Sequence, residues 1–137
     1  MPTIQFDVLV PSDLAAREVE DAFQRAVDIL VRREKLTSGS VTHESSPQLH
    51  DGIEDQLRQA YREERGEDPD DLRGGGAASV HRYLIEAEGA PSMNQLAMGL
   101  SRVLTPKADL PRDPVALERH MDFELPAVYP WVVEVLR

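Results

Sequence analysis

Hydrophobic periodicity switches from two to 3.6 and back before residue 44, and that alternation narrows the available folds more than any other feature. In Ile4-Gln5-Phe6-Asp7-Val8-Leu9-Val10, the residues Ile4, Phe6, Val8 and Val10 share one face at period two, as a strand requires. Pro11 ends the run because proline offers no amide to a ladder, and Ser12 is placed to cap a helix. Val19, Ala22, Phe23, Ala26, Ile29 and Leu30 then recur at helical spacing, opposite a polar face carrying Arg17, Glu18, Asp21, Arg25, Asp28 and Arg32. Arg32, Arg33 and Lys35 fall near the C-terminal end of this helix, where cations oppose its dipole. Thr37-Ser38-Gly39 breaks it, and Val41-Thr42-His43 begins a second short strand.

The same alternation resumes at Ser79. Val80 to Glu88 reads as a central strand, with Tyr83, Ile85 and Ala87 on one face and Val80 and Leu84 on the other. Ser92 and Gln95 form a capping-box pattern ahead of Met93, Leu96, Ala97, Leu100, Val103 and Leu104, the apolar face of a second core helix. Beyond a Pro-rich link, Leu117, Arg119, Met121, Phe123 and Leu125 alternate with polar residues as a half-exposed strand. Trp131 to Leu136 reads as a last strand, although Val128, Trp131, Val132, Val135 and Leu136 also fit a helix.

The expected fold is α+β: two β-α-β units forming a four-stranded sheet with two helices on one face, ferredoxin-like or tautomerase-like. One domain spans residues 1–137, a normal size for a single core. Residues 44–78 stand apart as an acidic insertion or lid. They hold 10 acids and 4 bases and so carry −6 of the net −10. Ile53, Leu57, Ala60 and Tyr61 give that insertion one modest helix from about 51 to 65, too little apolar surface for a core of its own. Glu67-Asp68-Pro69-Asp70-Asp71 and Gly74-Gly75-Gly76 then read as a flexible, solvated loop. With both helices on one face, the other sheet face is expected to be bare, which favours a homo-oligomer built through the sheet or its edges.

The acidic excess excludes a general nucleic-acid binder and docking to an anionic membrane. The absence of cysteine removes disulfides, thiolate nucleophiles and zinc–thiolate sites. No apolar run approaches the roughly 20 residues of a bilayer span, and the N-terminal residues carry no basic leader, so the expected location is cytoplasmic.

Four groups are candidates for chemistry. Pro2 becomes a secondary amine if Met1 is removed. An α-amino group titrates near about 7.7–8.0 and burial lowers that value, so a neutral proton shuttle is available near pH 7. His43-Glu44, His50-Asp51, His81 and His120 with Asp122 could converge on a divalent metal, but none shows tight ligand spacing, and no metal site is assigned. The run from Glu63 to Asp71 lacks the order of a calcium loop and reads as solvated, with docking onto a basic protein partner as its functional alternative. Gly74-Gly75-Gly76 lacks the Lys and Ser/Thr of a phosphate loop and reads as a hinge, while Tyr129 and Trp131 read as interface residues.

The opening Pro2-Thr3-Ile4-Gln5-Phe6-Asp7-Val8-Leu9-Val10-Pro11, followed directly by a helix, resembles the tautomerase superfamily and its macrophage migration inhibitory factor branch. The resemblance implies a trimer of doubled β-α-β units. It also implies Pro2 as catalytic general base on a small keto or enol acid, Lys35 or next Arg33 holding the substrate carboxylate, and no cofactor. It is detailed only over the first 40 residues. Ser12 stands where some members carry arginine, and the insertion at 44–78 has no counterpart. Two functions follow as expectations: a tautomerase-like isomerase acting through Pro2, or a non-enzymatic oligomeric assembly or ligand-binding module with an acidic partner-docking arm.

Overall fold

The computed structural model describes residues 2–105 and 129–136. β1 (Thr3–Val10) is followed by α1 (Asp13–Arg32), β2 (Ser38–Ser45), α2 (Ile53–Arg65), β3 (Ser79–Glu88), α3 (Met93–Leu100) with a 3₁₀ turn at Ser101–Val103, and β4 (Trp131–Leu136). Both predicted serine N-caps form, the box at Ser92 through its serine half. Ser12 Oγ accepts from the Ala15 amide at 3.1 Å, and Ser92 Oγ from the Gln95 amide at 3.3 Å. The segment 131–136 is a strand rather than a helix, paired with β1 from Val8↔Trp131 to Thr3↔Leu136. The alternating strand expected at 117–125 lies outside the described residues.

The sheet order is β2-β3-β1-β4, and every neighbouring pair is antiparallel. β1 and β2 therefore run parallel with β3 between them, and β3 and β4 run parallel with β1 between them. The two β-α-β units are split and interleaved, which is the ferredoxin-like alternative. Ile4, Phe6, Val8 and Val10 pack on the same face as Tyr83 and Ile85. There they meet Val19, Phe23 and Val27 of α1 and Ala97 and Leu100 of α3 in the main core. Gly39 lets α1 lie close on β2, because a Cβ there would stand 2.6 Å from Val27 Cγ1.

The second face is not bare, and this corrects the sequence expectation. Leu9 and Val80 point to it and are covered by Leu57 and Tyr61 of α2, with Leu72 and Ala78 completing a smaller core. Burial of such side chains contributes roughly 1.5–3 kcal/mol each, enough to hold a helix whose other residues are almost all polar. The acidic stretch after α2 is also fastened down. Arg58 and Arg62, one turn apart, reach Asp70 at 2.8 and 3.1 Å, Ala78 N–H bonds the Pro69 carbonyl, and Leu72 is buried. Composition reads this stretch as solvated because it cannot register that two arginines on α2 face it. Among the described residues the cover reaches one end of the sheet, and the rest of that face mixes Gln5, Asp7, Arg82 and Glu134 with Leu84, Val132 and Leu136.

Candidate functional site

Where α2 stops covering the sheet, a cavity of about 310 Å³ opens over the middle of the second face. Gln5 and Asp7 of β1, Arg82 of β3, and Val132 and Glu134 of β4 line its sheet side, with Leu49, His50 and Ile53 on the opposite wall. Period two places these strand residues together: Asp7 pairs with Arg82 and Val132, and Gln5 with Glu134. Asp7 is only 5% exposed. Arg82 Nε donates to Asp7 Oδ1 at 2.8 Å and Nη2 to Oδ2 at 3.3 Å, the two-pronged geometry particular to arginine. Nη2 also donates to the Gln48 carbonyl at 3.0 Å, and Gln5 Nε2 donates to Asp7 Oδ2 at 3.3 Å. Among the described residues nothing accepts from Arg82 Nη1. The hydrogen bond to Asp7, then the charges of Asp7, Glu44 and Glu134, outweigh burial and raise the guanidinium's already high pKa, so it is a fixed cation.

On the other face, beneath α1, a chain of polar side chains runs across β3 and β2. Ser79 Oγ lies 3.1 Å from His81 Nε2, and His81 Nδ1 lies 2.7 Å from His43 Nε2. His43 Nδ1 lies 3.6 Å from a carboxylate oxygen of Glu20 on α1. The His43 ring stacks on Tyr83, whose hydroxyl donates to the Ala16 carbonyl at 2.7 Å. Burial first, and then the neighbouring His43, lower the His81 pKa, with exposed Asp13 opposing at 4.0 Å.

The lowered value carries a sign. Near neutral pH the folded chain keeps His81 uncharged, while an unfolded imidazole takes a proton near about 6.5. Below that pH the unfolded chain binds a proton the folded one refuses. Stability present above 6.5 is therefore lost as pH falls toward the lowered folded value. Urea unfolding followed from pH 7.5 to 5 will show the midpoint dropping more steeply in the wild-type chain than in His81→Asn. Parallel slopes would exclude His81 as the source.

The residues singled out by sequence fall in different places. Pro2 is exposed; its carbonyl accepts from the Ala87 amide at 3.4 Å. Lys35 and Arg33 are exposed in the turn between α1 and β2. Because Gly39 pairs with Ala87, Pro2 and Lys35 share one end of the sheet. Pro2, Lys35 and Arg33 do not line the cavity over Arg82. Of the histidines, His43 and His81 meet, His50 stands apart on the loop before α2, and His120 is outside the described residues. No group of three or more His, Asp or Glu side chains that could hold a metal occurs among the described residues. Trp131 is half-buried; it donates from Nε1 to Thr105 Oγ1 at 2.9 Å and packs on Phe6 at the margin of the main core, where Tyr129 also packs.

Sequence reasoning passed over Asp7, Arg82 and Ser79. Asp7 carried a readable signal: a lone carboxylate on the second face of a first strand otherwise made of apolar residues and Gln5. Its partner lies 75 positions away and is visible only through strand register. No described helix is long and apolar enough to cross a membrane. Compared with family models, curated proteins and solved structures, the chain finds no match.

Proposed function

We propose that this chain is a ligand-binding α+β module whose site is the cavity over Arg82, taking a small zwitterionic molecule of amino-acid size. The observation that carries this reading is the pair of half-buried Arg82 and buried Asp7 in the cavity wall, with Nη1 left without an acceptor among the described residues. Holding a buried carboxylate against a half-buried guanidinium is costly, and a cavity where polar groups converge beside apolar ones, here Leu49, Ile53 and Val132, is a usual form of a small-ligand site. Nη1 suits a ligand carboxylate, and Glu134 beside Gln5 suits its ammonium group. A volume near 310 Å³ admits only a small molecule.

Calorimetric titration with a panel of free amino acids and small carboxylates tests this. One amino acid is expected to bind at least tenfold more weakly to Arg82→Lys, which keeps the charge but not the fork, and to Glu134→Gln, which lies at the rim. Absence of binding across the panel, or equal affinity in both variants, overturns the reading.

General-base chemistry at Pro2 stands as a second reading, supported by the resemblance of the opening strand and by Pro2 and Lys35 sharing one end of the sheet. Loss of phenylpyruvate enol turnover in Pro2→Ala is its test, and unchanged turnover removes it.

A further inference from the structure

The cavity over Arg82 has an apolar end and a charged end, and strand register sets which is which. Alternate residues of β3, β1 and β4 form rows across the second face, about 6.8 Å apart along the strands. Val80 and Leu9 make the row that α2 covers. Arg82, Asp7 and Val132 make the next row, and Leu84, Gln5 and Glu134 the one after. At the α2 end, Val132 joins Leu49 and Ile53 in the cavity wall, and all three are half-buried and packed against the smaller core. One row further the wall is Gln5 and Glu134, and Leu84 does not line the cavity.

The charged end is arranged for two groups at once. Two bonds to Asp7 draw the Arg82 guanidinium from β3 toward β1 and leave Nη1 without an acceptor among the described residues. Asp7 and Glu134 are diagonal neighbours on adjacent strands, about 7–8 Å apart and within reach of long side chains. Glu134 is exposed, and its charge is felt at Arg82. A carboxylate at Nη1 and an ammonium at Glu134 can therefore be carried by one carbon. The same guanidinium donates to the Gln48 carbonyl at 3.0 Å, and so holds the loop that brings Leu49 to the apolar end. His50, the remaining titratable group of the wall, is exposed.

Resting on the reading of this cavity as an amino-acid site, we infer that it selects one enantiomer of amino acids with a neutral apolar side chain, held beneath the first turn of α2 between Leu49, Ile53 and Val132. Carboxylate, ammonium and side chain leave the central carbon in three directions, and the wall offers a different surface to each. Exchanging two of them puts the side chain against Glu134 or a charge against Ile53. A polar side chain at the apolar end loses its water and meets three aliphatic residues that can return no hydrogen bond. An apolar one gains with each methylene it places there.

Calorimetric titration of the full chain with both enantiomers of leucine, and with alanine, asparagine, aspartate and lysine, tests this. Asparagine has nearly the shape of leucine and differs in polarity. One enantiomer of leucine is expected to bind at least about tenfold more tightly than the other, and at least about tenfold more tightly than alanine or asparagine. Ile53→Ala should bring the ratio of leucine to alanine affinity down to about threefold or less, and Ile53→Phe, which fills the same space, should bring it to one or below. Ratios are read because they are insensitive to a general loss of affinity, and circular dichroism confirms that α2 persists in both variants. If no amino acid binds, the ligand reading fails and the selectivity fails with it. If amino acids bind but asparagine or alanine matches leucine, if the enantiomers bind alike, or if the ratio is unchanged in both Ile53 variants, the ligand reading stands and the selectivity assigned here is overturned.

Discussion

Arg82→Leu is expected to destabilise the fold by about 3 kcal/mol, most of it recovered in the Asp7→Leu/Arg82→Leu double variant. Among the described residues, the single change leaves Asp7, 5% exposed, with the 3.3 Å bond from Gln5 and no paired cation. The protein must then hold a bare carboxylate in the sheet or protonate it, and either course is costly. The double change removes both charges and adds apolar surface beside Val132 and Leu49, which already line that cavity. Urea unfolding of the wild type, both single variants and the double variant closes the cycle. A loss below 1 kcal/mol in the single variant would mean that water replaces the guanidinium at Asp7, and the pair would then have no structural weight.

Phe23→Ala is expected to cost about 3–5 kcal/mol, a large part of the roughly 5–15 kcal/mol that a domain of this size has available. Phe23 is fully buried where α1 crosses the sheet. Its ring lies 4.9 Å from that of Phe6 and 5.5 Å from that of Tyr83, both tilted. With few aromatic residues in the chain, no spare side chain can close the void. Leu14, on the same helix but 67% exposed, provides the contrast: Leu14→Ala should stay within about 0.5 kcal/mol. Thermal unfolding by circular dichroism measures both, and similar values for the two would mean that α1 packs by its other face.

The core was legible because local pattern and burial agree there. Ile4, Phe6, Val8, Val10, Val19 and Phe23 are read from period two and period 3.6 alone, and all are buried. The caps at Ser12 and Ser92 follow from local chemistry and also form. What pattern cannot carry is register. Asp7 finds Arg82, and His43 finds His81, because β1 and β2 both run antiparallel to β3 at particular offsets, and no spacing along the chain encodes those offsets. Strand order is hidden in the same way, since a β-α-β pattern is identical whether its two strands are adjacent or have a third between them. The second face looked bare because charge dominates the composition of α2. Leu57 and Tyr61, a turn apart, carry most of its packing with half-buried Ile53 beside them, and their partners Leu9 and Val80 belong to distant strands.

β1 has a consequence for how the molecule reaches its folded form. This strand lies inside the sheet, and one of its two neighbours is β4, where Thr3 meets Leu136. Closing that ladder requires a loop almost as long as the chain, and such distant pairings slow folding because their entropy is spent before any contact returns it. Until residues 131–136 arrive, β1 presents a row of open amides and carbonyls to any passing strand, so the chain is most vulnerable to mispairing late in its assembly.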